Sequence, residues 1–262
     1  MCGRYSLLAH PADIEEFFSY KKIDPFPPRY NIAPTQPILI IAGDAAGNPV
    51  PHLVRWGLIP SWVKDPDGFT LIINARSETA AEKPSFRAAM RHRRALVPAS
   101  GFYEWHRPDD RKQPKQPYWI RPDPLGPNQS GLVFFAGLME TWAGSDGSEI
   151  DTGCILTTRA NKAIGRIHDR MPVVIQPSDF ERWLDCAHYE PRDVKDLLAP
   201  VGDDYFEAVA VSDLVNKVAN AGPEVQEPGL VDGAPEPAPK RNKSGAGATP
   251  AVGKDDGQFD LF

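Results

Sequence analysis

The chain opens Met1-Cys2-Gly3-Arg4. Trimming of Met1, normal when the next side chain is small, would leave Cys2 with a free α-amine and a thiol on adjacent carbons. Reference pKa values of about 7.7–8.0 for such an amine and about 8.5 for such a thiol make both partly nucleophilic near neutrality. Together they can capture an aldehyde: the amine forms a Schiff base, then the sulfur closes a five-membered thiazolidine. An internal cysteine cannot do this, because its nitrogen is an amide. Three other places carry groups that could serve such a reaction. Asn74 and Arg76 stand two apart at the end of the apolar run LIINAR, on one face of a strand. Glu104 lies between Tyr103 and Trp105, where a carboxylate either pairs with an arginine or transfers protons. His168 is followed by Asp169 and Arg170, charged neighbours able to tune an imidazole.

These groups are far apart in sequence, so a folded core must bring them together. The composition, 41% hydrophobic and 24% charged, is that of a soluble globular chain with a real core. No apolar run is long enough to cross a membrane, and no basic-then-apolar leader opens the chain. Cys2, Cys154 and Cys186 are an odd set without CxxC spacing, which excludes a disulfide framework or a zinc site and suits reduced cytoplasm. No metal or other cofactor is expected. The net charge of −6 excludes a protein that coats nucleic acid by bulk charge, though not a local basic groove. The run Arg87, Arg91, His92, Arg93, Arg94 is either such a patch or a solvated helix face.

Residues 1–220 carry continuous hydrophobic patterning and are expected to form one domain. From Ala221 Pro, Gly, Ala, Glu and Lys dominate, which predicts a disordered linker over 221–257. Strands are expected at Pro37–Ala42, His52–Trp56, Thr70–Asn74, Arg94–Pro98, Phe102–Trp105, Tyr118–Arg121, Leu132–Leu138, Thr152–Thr157 and Tyr205–Val209. Helices are expected at Pro11–Tyr20, Thr158–Ile164, Ser178–Leu184 and Val194–Leu198, with Ser178 and Glu181 at capping-box spacing. Strands outnumber helices without alternating with them. That predicts an α+β fold with a mainly antiparallel, barrel-like β core flanked by short helices.

Several segments combine Gly, Pro, Trp and polar residues beyond what packing requires. In order they are MCGRY, YNIAPTQ, WGLIPSW, NARSET, PASGFYEW, TTRAN and IHDRMPV. This series resembles the SRAP family, the abasic-site processing proteins once named SOS-response-associated peptidases, over essentially residues 2–220. The resemblance implies recognition of abasic sites in single-stranded DNA and a covalent thiazolidine crosslink to the C1′ aldehyde. It implies Cys2 as nucleophile, Asn74 holding the N-terminal residue and the sugar, Glu104 moving protons beside the amine, and His168 assisting ring opening. It places Arg4, Arg76 and Arg170 on phosphates, and makes Trp56 and Trp105 candidate base-stacking surfaces. An AP lyase side activity and self-removal of Met1 are compatible with the same groups. An N-terminal-nucleophile amidotransferase, a thiol peptidase pairing Cys2 with His168, and a non-catalytic damage reader are the competing classes.

The chain ends in QFDLF. This resembles the pentapeptide with which bacterial proteins dock on the β sliding clamp, with Gln258, Leu261 and Phe262 as anchors. The expected protein is thus a cytoplasmic monomer, bacterial in source, that works at replication forks.

Overall fold

The computed structural model describes residues 2–18, 22–44, 46–108, 110 and 112–234. Its centre is a ring of five strands: β3 (Pro37–Gly43), β4 (Pro49–Trp56), β6 (Arg94–Ala99), β9 (Val133–Ala143) and β10 (Glu149–Arg159). β3 pairs antiparallel with β4 and β6, β6 with β9, and β9 with β10. The ring closes through a parallel contact of β10 with β4, at Thr152–Arg55 and Gly153–Trp56. Closure leaves the ring strands no free edges, which explains why β6 (RALVPA) is buried along its whole length.

A second, open sheet packs beside the ring in the order β12 (Phe206–Ala210), β8 (Gln116–Pro122), β7 (Gly101–His106), β1 (Tyr5–Leu7) and β2 (Arg29–Ile32). The chain turns from β6 into β7 at Gly101, where φ is +155° and a Cβ would stand 2.6 Å from the Ile120 carbonyl oxygen. Only glycine fits that corner, and the corner puts Glu104 on the second sheet. Phe102 of β7 meets Phe135 of β9 edge-on, 5.9 Å between centroids, and so helps join the two sheets in one core.

β10 outruns its ring neighbours, and this positions the site. Beyond Gly153 its β4 edge is taken by the parallel strand β5 (Asn74–Arg76), paired from Ile155 to Thr157. Its β9 edge is taken by β11 (Arg170–Pro172), paired from Thr157 to Arg159. One strand end therefore holds Asn74 on one side and the His168–Arg170 turn on the other.

The α+β, barrel-like architecture agrees with expectation; several boundaries do not. The expected helix Thr158–Ile164 is strand as far as Arg159, because β11 pairs with Thr158 and Arg159, and only Ile164–Arg166 turns as a 3-10 helix. The expected strand Thr70–Asn74 begins only at Asn74, where β10 first offers a partner; before it Ile72 makes one isolated bridge to Leu58. Helix α1 covers Pro11–Glu15, and 19–21 lie outside the described residues. Ser178 and Glu181 form no capping box: a 3-10 turn at Pro177–Asp179 precedes α2 (Phe180–Leu184), and the Ser178 hydroxyl bonds Asp179 instead.

The largest correction is at the C-terminal boundary. Residues 221–234 pack on the second sheet. Pro223–Gln226 form a 3-10 turn, Val225 is fully buried beside Tyr103, and the Gln226 amide donates to the Tyr103 hydroxyl at 3.0 Å. Gly229 N–H bonds the Ala210 carbonyl, and Val231 N–H bonds Gln116 Oε1. Averaging composition over 221–262 hides these few anchors. The rest of the expected linker and the QFDLF peptide lie outside the described residues.

Candidate functional site

Cys2 precedes β1 and is fully buried. The β1 ladder begins only at Tyr5, so Cys2 is held by other means. The Asn74 side-chain amide donates to the Cys2 carbonyl at 2.8 Å. The Cys2 thiol faces the Arg4 carbonyl at 3.8 Å. Burial pushes the thiol well above its usual range, and the negative charge of Glu104 pushes it further. The thiol is therefore protonated at neutral pH.

Glu104 comes from β7 and is 3% exposed. Its Oε1 lies 3.9 Å from His168 Nδ1, and the exposed Asp169 carboxylate lies 3.1 Å from the same nitrogen. The Arg170 N–H also points at His168 Nδ1, at 3.0 Å. The buried Glu104 carboxylate and the exposed Asp169 carboxylate therefore converge on one imidazole nitrogen, Nδ1. That arrangement can carry a proton between the reacting centre and water.

Asn74 itself is held from behind. Trp56 donates its indole N–H to the Ile73 carbonyl at 3.0 Å and meets Tyr5 edge-on. Trp56 is 0% exposed. It is thus a core buttress for the Asn74 strand and not the base-stacking surface expected of it. The second tryptophan of the same motif, Trp62, is the exposed one, edge-on to Phe69. Asn74 Oδ1 is buried without a partner among the described residues. Asn74→Ala is expected to slow the site's reaction about 10- to 100-fold by releasing the Cys2 carbonyl, with the fold intact by circular dichroism. An unchanged rate would remove Asn74 from the positioning role.

Two clefts adjoin this cluster. One, of about 620 Å³, is walled by Glu104, Trp105, Arg107, Lys115, His168 and Asn216. Trp105 is half-buried there, with its indole N–H on Asn216 Oδ1 at 2.8 Å. The other, of about 900 Å³, carries Arg76, Arg159, Lys162, Arg166 and Arg170 against the acids Glu78 and Asp169. Arg76 is exposed in it. Arg170 is gripped bidentately by Glu78, at 2.6 and 2.9 Å, and by the Thr157 carbonyl. The cations of this cleft other than Arg76 and Arg170 escaped sequence reading, although TTRANKAIGR spells them; which arginines share a wall depends on the β10–β11 pairing. Arg4 turns inward, donating to Asn31 Oδ1 and the Val215 carbonyl, both at 2.7 Å.

Among the basic residues of the run 87–94 only Arg94 is buried, and Arg87 and His92 are exposed. Arg94 is fully buried, its guanidinium donating to the carbonyls of Met90, Trp183, Asp185 and Tyr189. Arg91 pairs with Glu190, and Arg93 with Glu140. Among the described residues no cluster of His, Cys, Asp and Glu could hold a metal ion, and no helix is long and apolar enough to cross a membrane.

Comparison with known proteins bears on this geometry. Residues 1–218 match the family model SRAP, SOS response associated peptidase. The abasic site processing protein YoqW of Bacillus subtilis is 41% identical over 230 residues, 87% of this chain and 99% of that one. The abasic site processing protein HMCES of Xenopus tropicalis is 30% identical over 260 residues, 86% of this chain and 77% of that one. Among solved structures, a Bacteroides thetaiotaomicron protein superposes with a TM-score of 0.71 at 25% identity, covering 87% of this chain and all of its own. A phage-related protein of Bordetella bronchiseptica does so with a TM-score of 0.62 at 30% identity, covering 80% and 94%.

Proposed function

The chain belongs to the SOS response associated peptidase (SRAP) family, and from that premise we propose that it captures abasic sites in single-stranded DNA as a covalent thiazolidine on Cys2. One observation carries the reading. The Asn74 amide holds the carbonyl of the buried Cys2, and the buried Glu104, whose charge bears on the Cys2 thiol, lies 3.9 Å from His168. The similar proteins from Bacillus subtilis and Xenopus tropicalis, both named for abasic-site processing, support the choice of substrate.

The chemistry runs in two balanced steps. Once Met1 is removed, the neutral Cys2 amine attacks C1′ of the open-chain deoxyribose. A C–N bond forms, and water leaves as the imine closes, taking one proton from a general acid. The thiol then adds across the C=N bond: sulfur bonds C1′, and its proton ends on nitrogen. Glu104 takes the proton released by the attacking amine and returns one to the leaving hydroxyl, with His168 exchanging protons between Glu104 and solvent. A protonated thiol suits this order, since the amine must attack first.

DNA approaches along the two clefts. Arg76, exposed in the larger cleft, offers charge-assisted donors to phosphates there, whereas Arg170 is spent on Glu78 and Thr157. Trp105 offers a stacking face in the smaller one. Arg4 serves as an anchor of the N-terminal residues. Intact mass after mixing the methionine-trimmed chain with single-stranded DNA bearing one abasic site is expected to show protein plus DNA minus one water. Unmodified protein alone would overturn the reading.

The terminal Gln258, Leu261 and Phe262 are assigned to docking on a bacterial β clamp, on the pattern QFDLF. A peptide of residues 254–262 is expected to bind clamp protein and to lose binding when Leu261 and Phe262 become alanine. Equal binding by both peptides would sink the assignment.

A further inference from the structure

Asn31, in the YNIAPTQ segment on β2, is 5% exposed, and its amide is saturated. Its Oδ1 accepts from Arg4 Nη1 at 2.7 Å. Its Nδ2 faces the carbonyls of Val215, Lys217 and Asn220 at 3.3, 3.2 and 2.7 Å. Arg4 Nη1 also donates to the Val215 carbonyl, and the Arg4 guanidinium lies 6.0 Å from the centre of the Trp105 ring. The Arg4 carbonyl accepts from Tyr103 N–H at 2.9 Å, next to Glu104, and faces the Cys2 thiol.

One amide therefore ties two parts of the chain together, the N-terminal residues through Arg4 and the segment 215–220, while the Arg4 backbone separately bonds the strand that carries Glu104. This matters because Cys2, Gly3 and Arg4 lie before the first ladder pair of β1 at Tyr5. No regular ladder fixes the direction in which they leave the sheet. Among the described residues their anchors are Asn74 on the Cys2 carbonyl, Tyr103 on the Arg4 carbonyl, and the Arg4 side chain on Asn31 and Val215. The segment held by Asn31 also supplies Asn216, which fixes Trp105 in the wall of the smaller cleft.

We propose that Asn31 is a positioning residue for aldehyde capture: by clamping Arg4 to the 215–220 segment it aims the Cys2 amine and thiol at the reacting carbon. The inference rests on the proposed function. It acts through orientation alone, since Asn31 is nearly sealed from solvent and its polar groups are spent within the protein.

The test is single-turnover crosslinking by the full, methionine-trimmed chain across a range of abasic-site DNA concentrations. The final adduct yield counts active molecules. For Asn31→Ala we expect a saturating rate about 10- to 100-fold lower, with the half-saturating DNA concentration within about 2-fold of wild type. Asn31→Asp keeps an acceptor for Arg4 but offers the three carbonyls no donor, so its rate should fall about 3- to 10-fold. A wild-type rate per active molecule in Asn31→Ala, or a change confined to half-saturation, would overturn the proposal. If Asn31→Ala fails to fold, a wild-type saturating rate in Asn31→Asp would overturn it. Failure of the wild-type chain to form any adduct would instead overturn the proposed function and this inference with it.

Discussion

Replacing Cys2 by serine is expected to abolish the stable adduct while leaving a transient one. The serine chain, trimmed of Met1, keeps a free amine at the same position, still held by Asn74 through the residue-2 carbonyl. It can form the imine. It lacks the sulfur that closes the thiazolidine, so the imine hydrolyses or undergoes β-elimination. Borohydride should trap protein on DNA in the serine and alanine variants. Without borohydride no adduct should survive denaturing gels, and strand cleavage should rise. Retention of Met1 should remove both signals, because the nitrogen of residue 2 is then an amide. A heat-stable adduct from Cys2→Ser would show that sulfur does not carry the linkage. Normal crosslinking with Met1 retained would show that the amine does not.

The second large effect belongs to Glu104. Glu104→Gln keeps the side chain's size and removes its charge. The crosslinking rate should fall by about 10²–10⁴-fold, the usual contribution of a placed acid–base group. The Cys2 thiol should move the opposite way. Glu104's charge is the second cause, after burial, that pushes the thiol up. Removing it lowers the thiol's pKa, so more thiolate is present at any given alkaline pH. The pH midpoint for alkylation should therefore shift down while aldehyde capture slows. Burial, the larger cause, remains in the variant, so the thiol should stay above its ordinary range. Slower alkylation together with slower capture would point to a collapsed pocket. An unchanged crosslinking rate would dismiss Glu104 as the proton carrier.

Much of the β core was legible because alternation and β-branched runs announce it. PILIIAG and RALVPA became β3 and β6 nearly as read. Elements at the rim were not legible, since their state depends on what a neighbouring strand offers. Thr158 and Arg159 are strand because β11 arrives beside them. Residues 221–234 are ordered because Val225 and Gln226 find Tyr103 and Val231 finds Gln116. Those are contacts across more than a hundred residues, invisible to any local window.

The same division runs through the site. The sequence by itself determined the proposal for the chemistry: a cysteine that trimming of one methionine would make terminal, and the motifs that single out Asn74, Glu104 and His168, follow from residue type and order. The tertiary structure alone decided which groups meet and which are spent. Trp56 and Trp105 look alike in sequence, yet one is sealed behind Asn74 and the other walls a cleft. Arg4, Arg76 and Arg170 looked alike as phosphate ligands, yet Arg4 is consumed by Asn31 and Val215 and Arg170 by Glu78 and Thr157, while Arg76 is left exposed. A side chain's role follows from how much water and which partners the fold leaves it, and burial and long-range hydrogen bonding exist only once the ring has closed.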